Sequence, residues 1–240
     1  YLDFIIKKAK NILIPYFVIS IVSYLFWYFI GRNYGEDASL NLPWYHPILG
    51  ILLAIPQNNY LQHNIALWFL PCLFLIEQIF YLYYIVHLRF KWVLVSCILF
   101  LVIIDQLSGR SIDIPWGFLS ACIGFLYFLL GHYFKLYEAY INSLHKIVLA
   151  CAVFIQFGAS FFGVLIIGRM DLGGRVLGDF PLLGLSVAMF GIGFIYTLSK
   201  LLECWHSASI EIVSKNTLLI FGFHLIALSV AKGVLILVLK

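Results

Sequence analysis

An all-α bundle of transmembrane helices, about seven spans plus one short re-entrant or interfacial segment, is the fold class that three observations predict. The chain is 63% hydrophobic and only 11% charged. Its mean hydropathy is +1.01. Apolar runs close to the length of a bilayer-crossing helix recur along it. A soluble domain is nearer half apolar and a quarter charged, so this chain cannot cover its apolar surface in water and takes lipid as its solvent. All 240 residues read as one membrane domain. The slight excess of Lys and Arg needs no nucleic-acid partner and reads as a topology signal.

The chain opens YLDFIIKKAKNILIPYF. Phe4, Ile5, Ile6, Ala9 and Ile12 form one apolar face, with Lys7, Lys8, Lys10 and Asn11 opposite. That pattern predicts a short helix at the membrane interface before Pro15 begins the first span. The run 12–30 is too long for a signal peptide and ends FWYFIG rather than in small residues, so it is a retained span. The stretch LPWYHPILGILLAIPQNNYL, 42–61, is apolar only from Ile48 to Ile55 and is bracketed by Pro43, Pro47 and Pro56. It is too short to cross, and its backbone needs cover from protein or water. Further spans are expected at 65–87, 92–107, 114–134, 146–168, 180–199 and 217–239, the one at 92–107 being the shortest. Small residues at Gly117/Ala121, Ser120/Gly124, Gly158, Gly163, Gly184, Gly191 and Gly193 predict close helix approach. Cys72, Cys97, Cys122 and Cys151 lie inside apolar runs and Cys204 near the end of one. Their number is odd and no C-x-x-C occurs, so they read as small packing residues rather than as a metal or disulfide framework.

Alternating spans place Lys7, Lys8, Lys10, Arg89, Lys91, Lys135, Lys146, Lys200 and Lys215 on one side, and Arg32, Arg110, Arg169, Arg175 and Lys240 on the other. The first side, which holds the start of the chain, is therefore expected to be cytoplasmic.

Polar groups inside lipid are costly, which makes them the first candidates for chemistry. Glu77 interrupts LFLIEQIFYLYY and His224 interrupts LLIFGFHLIAL; Lys232, His132 and Asp105 lie within or near the ends of spans. Glu77 reads as a helix-to-helix hydrogen bond with Gln78 nearby or as a functional carboxylate. His224 reads as a packed residue or as an imidazole facing substrate, able to donate, accept or carry a proton. Lys7, Lys8 and Lys10 read as a topology anchor or as a contact for a polyanionic cytosolic donor such as a nucleotide-bearing thioester. There is no Gly-rich phosphate loop, no H-E-x-x-H, no G-x-S-x-G and no D-x-D. Residue by residue, the reading stops at a polytopic membrane protein with a few buried polar groups.

Five stretches in order carry a family resemblance: KKAKNILIPYF (7–17), LWFLPCLFL (67–75), IPWGFLSACIGFLYFLLGHYFK (114–135), MDLGGRVLGDFPLLGLSVAMFGI (170–192) and IVSKNTLLIFGFHLIAL (212–228). Together they resemble the acyltransferase family 3 membrane proteins, in the branch of fucose 4-O-acetylase-like and exopolysaccharide O-acyltransferases. The resemblance implies transfer of an acyl group, usually acetyl, from acyl-CoA to a hydroxyl of a cell-envelope glycan or lipid-linked sugar. It implies acyl-CoA as co-substrate with no bound cofactor, and a multi-pass protein of the plasma or inner membrane. It brings forward His224 as the family's late His and Asn216 in the S-x-N-T-L motif before it. It also brings forward Trp68, for stacking on a sugar or adenine ring or for anchoring at the interface, and it agrees with Lys7, Lys8 and Lys10 meeting the donor and with polar groups such as Glu77 inside lipid. In the family, an Arg, a His expected to be the catalytic base, and a Ser-Gly pair precede the stretch resembling KKAKNILIPYF. None of these precedes Tyr1 here, so the chain is expected to be the C-terminal part of such an enzyme and inactive alone. Two other classes compete: a transporter of polysaccharide or lipid-linked sugar, for which repeats and paired intramembrane charges are expected, and a non-catalytic membrane binding subunit.

Overall fold

Pro15 does not start the first span; the helix runs through it. A computed structural model describes residues 2–34, 40–110, 113–203 and 207–238. In it α1 (Leu2–Lys8) continues through a π-helical turn, Ala9–Leu13, into α2 (Ile14–Phe29). The expected interfacial helix is thus not a separate element. A proline inside a helix removes one N–H and clashes with the carbonyl four residues back. Here the Ile14 N–H reaches back to the Ala9 carbonyl, and this wider turn accommodates Pro15 without a break.

Among the described residues, seven helices are long and apolar enough to cross a membrane: Leu2–Asn33, Ile65–Ile85, Phe90–Leu107, Pro115–Leu136, Lys146–Ile167, Pro181–Leu201 and Thr217–Leu235. The expected spans are all present, within a few residues except at the extended first one. The architecture is a polytopic all-α bundle. The chain divides into two compact units, Tyr1–Gln78 with Asp113–Phe118 and Ala208–Lys240, and Ile79–Ile112 with Leu119–Ser207.

In the first unit, α1 and α2 pack on α3 (His46–Leu53), a 3-10 turn at Ile65–Trp68 and the first half of α4 (Phe69–Ile85). Ile12, Tyr16, Ile19, Ile51, Ala54, Leu67, Leu70 and Phe74 form its core. With eight residues, α3 is about 12 Å long at the usual rise and cannot cross. Its exposed terminal carbonyls are covered as the short segment requires. The Tyr16 hydroxyl donates to the Ile51 carbonyl at 2.7 Å, and the Trp116 indole to the Leu52 carbonyl at 2.9 Å. Ala54, in the left-handed conformation (φ 49°), ends α3. The returning loop then passes so close that a Cβ on Gly50 would lie 1.8 Å from the Tyr60 carbonyl oxygen. His46 and Tyr60 stack across the loop, ring centroids 4.5 Å apart.

The second unit holds α5 (Leu88–Leu107), α6 (Phe118–Leu136, from Leu119), the short α7 (Glu138–Ser143), α8 (Lys146–Ile167) and α9 (Pro181–Leu201). Residues Leu119 to Leu126 of α6 are all buried. A two-strand hairpin, β1 (Met170–Asp171) against β2 (Val176–Leu177), turns the chain between α8 and α9. These helices run antiparallel in close contact. A Cβ on Gly163 would lie 2.4 Å from Val187, and Thr197 donates to the Gln156 amide oxygen at 2.7 Å. The small residues expected to permit close approach do so here, whereas Gly158 faces open space. Asp105 and Arg175 form a buried ion pair at 3.3 Å, and Arg175 also donates to the Arg110 carbonyl at 2.6 Å.

The chain then continues in the first unit with α10 (Ala208–Lys215) and α11 (Thr217–Val238). Cys72 and Cys122 are buried, as packing residues are expected to be, but Cys97 and Cys151 are exposed on their helices. Cys204 and Lys240 lie outside the described residues.

Candidate functional site

One face of α2 is polar within an otherwise apolar helix. Ser20, Ser23, Tyr24 and Trp27 recur at helical spacing, and Ser20, Ser23 and Trp27 are buried. The loop PQNNYLQHN folds against this face. Asn58 and Asn59 take left-handed conformations (φ 56° and 59°), a geometry Asn tolerates well. They turn the chain back so that His63 and Asn64 arrive buried, at 6% and 1% exposure. The Asn64 amide nitrogen donates to the Ser23 hydroxyl at 3.2 Å and to the Gly222 carbonyl at 2.7 Å. Because a carbonyl only accepts, that second bond fixes the orientation of the amide. Asn64 thereby joins α2 to the turn of α11 that precedes His224. The helices touch there: a Cβ on Gly222 would lie 2.6 Å from Ile19.

Besides the Ser20 hydroxyl, both ring nitrogens of His63, the Asn64 Oδ1 and the Trp27 Nε1 have no hydrogen-bond partner at this face among the described residues. Burial without a partner pushes the His63 imidazole down to about 4, so it is neutral at ordinary pH. The Tyr24 ring sits between two of them, 6.4 Å from His63 and 6.2 Å from Trp27.

His224 is half-buried on α11. Its Nδ1 lies 2.7 Å from the Phe221 carbonyl oxygen. That oxygen can only accept, so Nδ1 carries a proton and donates, leaving Nε2 as the ring nitrogen that can meet a ligand. Trp68 is connected to it through aromatic contacts. Trp68 meets Phe69 at 6.0 Å, Phe69 meets Phe221 at 5.8 Å, and Phe221 meets His224 at 6.0 Å. Two residues 156 positions apart, 224 less 68, thus stand at the ends of one aromatic row.

Glu77 meets Lys8, at 2.6 Å, with Glu77 14% and Lys8 32% exposed. The helix-to-helix contact expected of Glu77 is an ion pair with α1 rather than a bond with Gln78. Glu77 Oε2 and the Gln78 amide make no bond among the described residues. Lys8 also sits 5.7 Å from the Phe4 ring centroid. Lys8 is therefore set apart from Lys7 and Lys10, which are exposed.

Asn216 does not join these groups. It is exposed between α10 and α11 and its amide donates to the Ile212 carbonyl at 2.8 Å, satisfying a helix-end acceptor. Lys232 is exposed on α11, and His132 packs on Phe80 with centroids 5.1 Å apart. Sequence reasoning missed His63, Asn64, Ser23 and Trp27. The signal available was the density of polar side chains in QNNYLQHN directly before an apolar span.

A half-buried imidazole with one ring nitrogen uncommitted, an aromatic row and buried polar donors and acceptors can bind and orient a hydroxyl. The cationic end of α1 can hold an anion. A family model described as an acyltransferase domain matches residues 1–239. No curated protein and no solved structure matches the chain.

Proposed function

The chain belongs to acyltransferase family 3, and from that premise we propose that it works in acyl transfer from acyl-CoA to a sugar hydroxyl of a cell-envelope glycan. It is a multi-pass membrane protein by its seven apolar helices and its family. The observation that carries the reading is the match across nearly the whole chain. We place it in the plasma or inner membrane with the Lys7–Lys10 end on the cytoplasmic side, where a nucleotide donor is found.

The reaction exchanges a thioester for an ester. The acceptor oxygen attacks the acyl carbon, the C–O bond forms, the C–S bond breaks, and the hydroxyl proton leaves while the thiolate gains one. Lys7 and Lys10 attract the donor's phosphates. His224 accepts a hydrogen bond from the acceptor hydroxyl at Nε2, and Trp68 offers a flat apolar face to a sugar or adenine ring. Asn216 holds the join between α10 and α11 and so sets where His224 begins its span.

Membranes containing the chain together with the Arg, His and Ser-Gly segment that precedes it in the family, given acetyl-CoA labelled in the acetyl group and a lipid-linked sugar acceptor, should place label on the sugar. His224→Ala should lower the rate about tenfold or more, the worth of one hydrogen bond tightened in the transition state, with expression preserved. Label transfer no greater than in membranes lacking the protein overturns the reading. Unchanged transfer in His224→Ala assigns that residue to packing.

A further inference from the structure

We propose that Trp27 Nε1, His63 and Asn64 Oδ1 form a binding site for the hydroxyl groups of a neutral sugar. Every one of these side chains is more than nine-tenths buried, at 3%, 6% and 1% exposure. None of these atoms has a hydrogen-bond partner among the described residues. A buried polar group left unpaired costs about 1–3 kcal/mol, and such groups in a native fold are otherwise rare. Here they are neighbours. Ser23 and Trp27 are one turn apart on α2; Ser23 takes the Asn64 bond, and Tyr24 packs on both Trp27 and His63. A cluster of unmet groups on one face is better explained by a ligand than by separate defects.

The chemistry of the cluster selects the ligand. Trp27 offers a donor, Asn64 an acceptor, and the neutral imidazole one of each. A hydroxyl both donates and accepts, so adjacent hydroxyls satisfy this set. A phosphate or carboxylate would face the Asn64 oxygen with no means of bonding it. A metal cation would find no carboxylate in the cluster. The Tyr24 and Trp27 rings supply the apolar faces against which a pyranose packs. Access requires the segment between α3 and the Ile65–Trp68 turn to part from α2. Its internal bonds include the local turns Tyr60 N–H to Gln57, Gln62 N–H to Asn59 and Asn64 N–H to Leu61, and parting it from α2 also breaks the Asn64 bonds to Ser23 and Gly222.

This inference rests on the acyl-transfer reading only for why a sugar should be present. Its test reads binding, not transfer. The protein is placed in lipid nanodiscs with 15N-labelled indoles, and the Trp27 N–H resonance is assigned by its loss in Trp27→Phe. Methyl glycosides of glucose, galactose and fucose are then titrated. We expect at least one to shift the Trp27 resonance saturably. His63→Leu should abolish that shift while leaving the melting temperature unchanged or raised, since it deletes an unpaired imidazole and no bond. No saturable shift with any of the three overturns the proposal, as does an equal shift in His63→Leu. A lowered melting temperature in His63→Leu without a shift in the unmodified protein indicates buried water instead, and also overturns it. A shift without acyl transfer keeps the site and sinks the transfer reading; transfer without a shift does the reverse.

Discussion

The His63 imidazole ties stability to pH. Its pKa is pushed down to about 4 by burial, from an ordinary value of 6.5. Between those values the unfolded chain binds a proton that the folded chain does not, so stability falls as pH falls. Above pH 6.5 the contribution is flat. At pH 4 the loss is on the order of 3 kcal/mol. Melting temperatures from pH 7 to pH 4 should therefore drop more steeply in the unmodified protein than in His63→Leu; parallel slopes would mean that the imidazole is not held neutral. Individual site residues were legible only where they broke an apolar run. Glu77 and His224 stood out in this way, Trp68 only through the family resemblance, and each lies against a named partner in the fold. His63 and Asn64 sit among polar neighbours in QNNYLQHN, which reads as an ordinary loop, and nothing local says that the loop folds onto α2. Asn216 was legible only through its place in the motif, and its amide bonds the Ile212 carbonyl. A motif position says nothing about whether an amide reaches a ligand or its own helix carbonyl.

Among the elements, the π turn Ala9–Leu13 has the largest consequence. It lets one helix pass Pro15 and sets the rotation at which Lys8 faces Glu77. Deleting Asn11 would restore ordinary helical spacing and turn Lys8 by about 100°. In a Lys8→Cys/Glu77→Cys variant, a short thiol cross-linker should join α1 to α4 efficiently, and the Asn11 deletion should suppress the cross-link. Equal cross-linking in both would mean that the π turn does not set this contact. The spans were legible because length and hydropathy alone define a membrane helix. The π turn was not, since it answers a single proline and has no composition of its own. The amphipathic α10 and the hairpin before α9 were also unread, being too short for a periodic signal.

For the molecule as a whole, the account joins a family, a membrane bundle and a division of labour along α1 and α2. Lys8 and Trp27 are nineteen positions apart on this continuous helix, 27 less 8, or about 28 Å at the usual rise, close to the thickness of a bilayer's hydrocarbon core. The basic end and the Trp27 end can therefore reach opposite faces of a membrane. The fold class was the most legible feature, because it follows from composition; the function came from ordered motifs, because no catalytic signature stands alone in the chain. The most direct measurement uses sealed membrane vesicles of known orientation, holding the chain together with the Arg, His and Ser-Gly segment that precedes it in the family, with labelled acetyl-CoA supplied to one face at a time. The account predicts labelled ester on the sugar acceptor with donor at the face bearing Lys7 and Lys10 and none with donor at the other. Absence of label from either face, or label only when the donor meets the Trp27 end, would contradict it.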